Sequence, residues 1–278
     1  MDSGTQRPRR NSHRAPSARH LWRSARTGVR LLFGLGLLLS SMTAFGAQVS
    51  CVQKLGDGSS EVQKVFSDFQ FGADACVSAQ IEGAISEGDA AMLAEFLAFN
   101  PSVTYVYLNL VGGDVSESIE MGRLIREWGI LTWVSGSNTC ASSCILIWLG
   151  GVGRHADDNH LKVHRFYVPD NQFRQMSGVE IDRFYQDMTQ QLREYLSSMG
   201  VEADQDELIR TIMTTPPEDL KVVNKASHPR LFGAPTSRDQ WVRANGCTID
   251  KSVSSLACVT KLVLRDREGA GLLPPQAE

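Results

Sequence analysis

Apolar and polar positions recur along this chain with two different periods, and the places where the period changes mark its elements. Beyond the first 77 residues, positions 81–85 read as a short strand. Positions 90–99 then carry Met92, Leu93, Phe96 and Leu97 at the i, i+1, i+4, i+5 spacing of an amphipathic helix. Residues 103–110 are rich in β-branched and aromatic side chains and predict a buried strand that Gly112 and Gly113 turn. A helix over 115–128, with Ile119, Leu124 and Ile125 inward, and a strand over 130–134 come next. Strand, helix, strand, helix, strand with short links predicts an α/β fold with a mostly parallel sheet and right-handed crossovers.

After His164 the helical period takes over. Val179, Ile181, Phe184, Tyr185, Met188, Leu192 and Tyr195 lie on one stripe of a long helix over 178–199. A second helix over 203–213 has Asp204 or Asp206 near its start, which suits the helix dipole. This pair is expected to protrude from the sheet as an arm. Residues 216–236 predict a strand and a short helix capped by Asn224. From 237 onward a hairpin carrying the loop from Cys247 to Cys258 is expected, and 269–278 reads as a frayed tail.

Composition adds one core and one leader to this picture. The 278 residues are 42% apolar with a net charge of −3, enough for one α/β core with appendages and a poor match to a polyanionic partner such as nucleic acid. The first thirty positions hold eight arginines, from Arg7 to Arg30, and one acidic residue, Asp2. Behind them come LLFGLGLLL at 31–39 and then SSMTAFGAQ. A basic segment, a short apolar run and a small-residue exit read as a secretory signal, with Ala44 and Gly46 as recognition positions and cleavage before Ala47. The same run read as uncleaved would anchor the chain in a membrane, although it falls short of the about 20 apolar residues of a span. The expected compartment is therefore periplasmic or secreted, with an inner-membrane anchor facing the periplasm as the alternative. Four segments follow: 1–46 as signal peptide or anchor, 47–77 as an N-terminal arm, 78–236 as the α/β domain and 237–278 as a disulfide-bearing extension with its tail.

All six cysteines lie beyond the cleavage position, an even set that fits an oxidising compartment. Proximity favours Cys51 with Cys76, Cys140 with Cys144, and Cys247 with Cys258. A zinc site competes poorly, since no CxxC pair occurs. His155, His160 and His164 with Asp157 and Asp158 lack an HExxH spacing. Neither a metal nor a cofactor is expected.

The chemistry-bearing stretch is CASSCILIWLGGVGRHADDNHLKVH, residues 140–164. A helix beginning at Ser142 or Ser143 aims unpaired N–H groups and its positive dipole end at whatever binds there, which suits an oxyanion. His164 follows about twenty residues later, as the base of a serine nucleophile would. Upstream, the strand into Gly112-Gly113 offers a second source of backbone donors. Plainer readings exist for each residue: serines at helix starts cap orphan amides, a histidine after Val163 satisfies itself in a core, and paired glycines supply positive φ. Tyr105, Tyr107, Trp128, Trp133 and Trp148 read as packing residues, and Glu117 and Glu120 as solvated.

The segments GAI, YLNLVGGDV, TCASSCILIWLGG and KVHRF resemble the proteolytic subunit of Clp protease, within the ClpP/crotonase superfamily, and more closely a group of predicted periplasmic proteins related to it. The resemblance spans roughly residues 78–236. It implies a ββα superhelix with a protruding helical arm, assembly into homo-oligomers, and a serine-histidine site. On this sequence the nucleophile falls on Ser142, the base on His164, and the oxyanion donors on the amides of Gly112, Gly113 and Ser143. The orienting carboxylate falls on Asp219, with Glu218 the second candidate. Two positions depart from the family pattern: Leu110-Val111 replaces the Ser-Pro before the glycines, and Cys144 stands where a small residue is usual.

Two functions follow. The first is an exported, ATP-independent serine hydrolase, a peptidase acting on peptide or another acyl substrate. The second is a non-catalytic binding or assembly module. Crotonase-type acyl-CoA chemistry is disfavoured by the serine-histidine pair and by export.

Overall fold

The computed structural model describes residues 46–167, 173–232, 237–247 and 252–273. The leader over 1–45, with its basic and apolar runs, lies outside the described residues. Among those described, no helix is long and apolar enough to cross a membrane.

The architecture is mixed α/β around one eight-stranded, mostly parallel sheet. In chain order its elements are β1 (Gln48–Lys54), α1 (Ser60–Val65), β2 (Cys76–Ile85), α2 (Asp89–Phe99), β3 (Tyr105–Gly113), α3 (Val115–Glu127), β4 (Leu131–Val134), β5 (Cys140–Ala141), α4 (Cys144–Gly150), β6 (Arg154–Ala156) and β7 (Leu161–Val163). Then come α5 (Gly178–Ser198), α6 (Gln205–Thr214), β8 (Lys221–Val223), α7 (Ser237–Ala244) and α8 (Ser252–Gly269).

The sheet forks at β3. The start of β3 pairs in parallel with β4, which continues to β6, while its far end pairs with β5, which continues to β7 and an antiparallel β8. On the other side β2 is parallel to β3, and β1 closes that edge in antiparallel fashion. The fork exists because β3 is long: its first residues and its last lie in different tiers.

The core follows from these pairings. Ala79, Ile81, Val106, Leu108 and Leu110 are buried in the central strands, and every residue of α4 is buried, as its unbroken CILIWLG run requires. Helices α3 and α4 cross closely enough that only glycine fits at the contact. A Cβ at Gly122 would come 2.8 Å from the Leu146 carbonyl, and one at Gly150 would come 2.3 Å from the Gly122 carbonyl. Tyr195 near the end of α5 donates to the Leu146 carbonyl at 2.5 Å and so fixes the arm on α4. The arm starts with a capping box of Ser177 and Glu180, and α5 buries only Leu192, Tyr195 and Leu196 in its last turns. Its earlier turns leave Ile181, Phe184, Tyr185 and Met188 half-buried on one stripe.

Three expectations are corrected. The region from 237 is a pair of helices, α7 and α8, joined by the Cys247–Cys258 disulfide, in place of a hairpin. Val259, Val263 and Arg267 are buried at intervals of four, a helical period that the cysteine spacing obscured. The short helix after β8 is a series of turns. Asn224 Oδ1 accepts from the Ala226 and Ser227 amides, and Pro229 disfavours helical backbone at His228. Glu117 is not simply solvated: its carboxylate accepts the Ala90 N–H at 2.8 Å, whereas Glu120 is exposed beside Arg123.

His228 is 3% exposed, and its Nε2 is buried without a hydrogen-bond partner. Burial pushes this imidazole below its ordinary value, against the opposing pull of Asp204 and Glu207. The unfolded chain therefore binds a proton here first, so full stability is present above about pH 6.5 and falls as the pH drops toward the folded-state value. Melting temperature is expected to decline between neutral and mildly acid pH, and His228→Asn to flatten that decline. A slope unchanged by the substitution would remove His228 as its cause.

Candidate active site

The register across the forked sheet sets out the site. Leu110 pairs with Cys140, Cys140 with Leu161, and Leu161 with Val223, so four strands are aligned at one level. Two residues farther along, toward the carboxyl ends of the parallel strands, lie Gly112, Ser142 and Val163. His164 immediately follows β7. Neighbouring strands lie about 4.8 Å apart, so Ser142 and His164 occupy adjacent strand ends, one residue out of step. The carboxyl ends of parallel strands are where α/β sheets bind ligands.

Ser142 is the turn between β5 and α4, and its backbone is in the left-handed region with φ 57. Only Asn159 shares that property among the described non-glycine residues. A serine there costs about 1 kcal/mol relative to ordinary backbone. Its N–H donates to the Lys162 carbonyl at 2.8 Å, which locks the turn onto β7. The Cys140–Cys144 disulfide closes the same turn, with Cα atoms 5.3 Å apart and both cysteines fully buried. An i to i+4 bridge needs the chain to fold back sharply, and the left-handed residue midway provides that reversal.

Gly112 and Gly113 close the floor. Gly112 has φ 94, and a Cβ there would lie 2.5 Å from Ser142 Cβ and 3.1 Å from its Oγ, so the glycine backbone sits directly against the hydroxyl. Gly113 has φ 146 and abuts Ile85, whose carbonyl a Cβ would meet at 2.0 Å. Ser143 is the N-cap residue of α4, yet its hydroxyl donates to the Gly113 carbonyl at 3.1 Å and caps no amide. That bond ties the helix start to the glycine turn. The amides of Ser143 and Cys144 belong to the first turn of α4, where N–H groups lack an intrahelical acceptor.

His164 is half-buried, and its Nδ1 lies 3.0 Å from the Arg165 carbonyl. A donating Nδ1 leaves Nε2 as the unprotonated acceptor, the tautomer a general base needs. Among the described residues no hydrogen bond joins Ser142 to His164. Asp219 and Glu218 are exposed in the turn before β8. No hydrogen bond joins either carboxylate to His164 among the described residues, and the Arg165 carbonyl occupies the orienting position. Arg165 in turn places its guanidinium over the Tyr185 ring of the arm at 5.6 Å, and its N–H donates to the Thr215 carbonyl.

The left-handed serine and the Arg165 carbonyl have no signature in the local sequence, and neither has the exposure of three large apolar side chains on strands and loops that adjoin the site. Val111, Tyr167 and Leu220 are 68%, 57% and 52% exposed. Val111 precedes Gly112, the Tyr167 ring lies 6.0 Å from that of His164, and Leu220 precedes the β8 partner of Val163. The other disulfides join Cys51 to Cys76 and Cys247 to Cys258, and all three suit an oxidising environment. Among the described residues no cluster of three or more histidine, cysteine or acidic side chains is arranged to hold a metal ion.

No family model matches the chain, and no curated protein matches it. Among solved structures it is similar to a mutant of the 1510-N membrane-bound stomatin-specific protease, with 14% identity and a TM-score of 0.42 over 64% of this chain and 87% of that one. It is also similar to ClpP1 from Listeria monocytogenes, with 17% identity and a TM-score of 0.39 over 54% of this chain and 85% of the other. Both likenesses concern the course of the backbone, and neither assigns a role to a residue.

Proposed function

We propose that the chain is an exported, ATP-independent serine hydrolase of the peptidase kind, with Ser142 as nucleophile and His164 as general base. The observation that carries this reading is Ser142 itself, a non-glycine residue held in left-handed backbone at a strand-to-helix turn, stapled by a disulfide and pressed against Gly112. Strain of this kind persists only where the surroundings over-determine it, and it concentrates at functional sites.

In the mechanism His164 Nε2 takes the Ser142 proton as Oγ attacks the substrate carbonyl. The developing oxyanion lies among the amides of Gly112, Gly113 and Ser143, and the protonated imidazole returns its proton to the leaving group. Water then repeats the sequence on the acyl-enzyme. Asp219 serves as orienting carboxylate only after the turn before β8 closes onto His164. Closure of this kind on binding substrate is common, because catalytic contacts tighten in the complex. The exposed Tyr167 ring beside His164 favours acyl groups with apolar side chains. Self-association through the half-buried stripe of α5 supplies the homo-oligomer, and the leader places the protein in the periplasm, either released or anchored.

A binding module is the second reading, favoured by the missing Ser142–His164 bond and by the exposure of Asp219. Labelling with a fluorophosphonate probe separates the two. Wild type is expected to label, Ser142→Ala and His164→Ala not to, and Ser143→Ala to retain label. An unlabelled wild-type protein under both oxidising and reducing conditions would establish the binding module.

A further inference from the structure

Asp89 is 6% exposed, and its Oδ2 accepts two backbone N–H groups, from Ala47 at 2.8 Å and from Ser86 at 2.7 Å. Among the described residues no lysine, arginine or histidine pairs with it. The two amides and the positive end of α2, in whose first turn Asp89 lies, offset its charge only in part, and no full cation among the described side chains stands beside it. Ala47 is itself 6% exposed. It is also the residue that leader removal would leave first, because small Ala44 and Gly46 precede it behind the basic and apolar runs.

We propose that Ala47 is the mature N-terminus and that its α-ammonium is the missing cation, held by the Asp89 carboxylate. The step is hydrolysis of the Gly46–Ala47 amide by a leader peptidase of the exporting membrane, acting before the chain folds. The C–N bond breaks, and water supplies the oxygen that makes Gly46 a carboxylate. The freed amine takes up a proton to become an ammonium. The nitrogen needs no displacement to reach its partner, since it already lies 2.8 Å from Oδ2. Removing Gly46 also uncovers the second carboxylate oxygen, because a Cβ at Gly46 would lie 2.5 Å from Oδ1. The ammonium carries three donors where the amide had one.

This pair bears on the glycine turn. Oδ2 holds the Ser86 N–H, Ile85 precedes Ser86, and the Ile85 carbonyl accepts from Asp114 at 3.0 Å while its backbone abuts Gly113. Leader removal thus delivers a charge to the segment that braces the end of β3. The inference rests on the exported part of the proposed function and not on Ser142 as nucleophile.

The experiment expresses the full chain with its own leader in a bacterium with a periplasm, followed by N-terminal sequencing and intact mass of the purified protein. The expected first residue is Ala47. The folded protein is then treated with 2-pyridinecarboxaldehyde, which reacts with free α-amines. Labelling is expected to be at least about tenfold slower than in the denatured chain, as for a group reached only by local opening. Asp89→Asn is expected to abolish that protection. Should Asp89→Asn fail to fold, a chain released with Phe45-Gly46 still attached keeps the amide contact without the charge there, and is expected to melt lower than the native form. A different first residue, retention of the leader, an Ala47 amine that labels at the denatured rate, or an extended chain of undiminished melting temperature each overturns the proposal. Fluorophosphonate labelling of the same sample reads Ser142 separately: a protected Ala47 with an unlabelled serine upholds the inference and sinks the hydrolase.

Discussion

Ser142→Gly is expected to make the folded protein more stable while abolishing its hydrolytic activity. Serine at φ 57 carries a steric cost that glycine does not, and the side chain makes no hydrogen bond among the described residues to offset it. Glycine relieves that cost but gives the unfolded chain more freedom, so the net gain is about 0.5–1 kcal/mol. Ser142→Ala keeps the Cβ and the strain, and its stability is expected to stay within about 0.5 kcal/mol of wild type. Both variants lose the nucleophile, and turnover of an activated ester is expected to fall at least about 10³-fold. Chemical denaturation and ester hydrolysis on the three proteins measure both quantities. The contrast discriminates between readings. Were Ser142 a helix cap, its removal would lower stability by about 1 kcal/mol; the cap position belongs to Ser143. If both variants lose stability and the wild type hydrolyses no ester, the strained turn serves structure alone.

The parts of this fold that were legible in sequence are those where burial imposes one period. The strand expected over 103–110 is β3, and the helix over 115–128 is α3 with Asp114 as its cap. The disulfides follow sequence proximity because each closes a turn or joins neighbouring elements. Strand β2 is legible only over 81–85, because Cys76, Val77, Ser78 and Ala79 are all buried. A central strand covered on both faces shows no alternation, and small polar residues within it look like loop. At the site, the serine, the histidine and the glycines were visible as types at suitable spacing. Their juxtaposition was not, since it depends on the forked register of β3 and on the φ of one residue. Carboxylates were the least legible: Ser86-x-x-Asp89 carries a helix-start pattern and Asp89 accepts the Ser86 N–H, but the reach of Asp89 to Ala47 and of Glu117 to Ala90 crosses long stretches of chain that no local pattern shows.

Arg267→Ala is expected to produce the largest loss of stability of any single change outside the site, although it lies near the end of the described chain. Its side chain is fully buried in α8, where the guanidinium donates to the Trp128 carbonyl at 2.6 Å and the Pro101 carbonyl at 2.8 Å, and lies over the Trp128 ring at 5.5 Å. Trp128 is the C-cap of α3, so the cation sits at the negative end of that helix dipole, where a positive charge is favoured. Around it Leu264 packs with Phe66 and Phe69, Tyr105 shares a hydrogen bond with Thr260, and Lys261 and Arg265 pair with Asp68. Those two cations hold the Asp68 carboxyl below its usual value, a surface effect of small weight beside the buried one. Removing the guanidinium strands two carbonyls and opens a void, a loss of about 3 kcal/mol, or roughly 6–12 °C in melting temperature for a domain of this size. Arg267→Lys is expected to recover less than half, because one ammonium on a flexible stem cannot serve both carbonyls in the geometry of a planar fork. Thermal denaturation of the two variants under oxidising conditions, with the Cys247–Cys258 bond intact, measures this. If Arg267→Ala melts within about 2 °C of wild type, then α8 is an appendage, and the core of strands and α3 is complete without it.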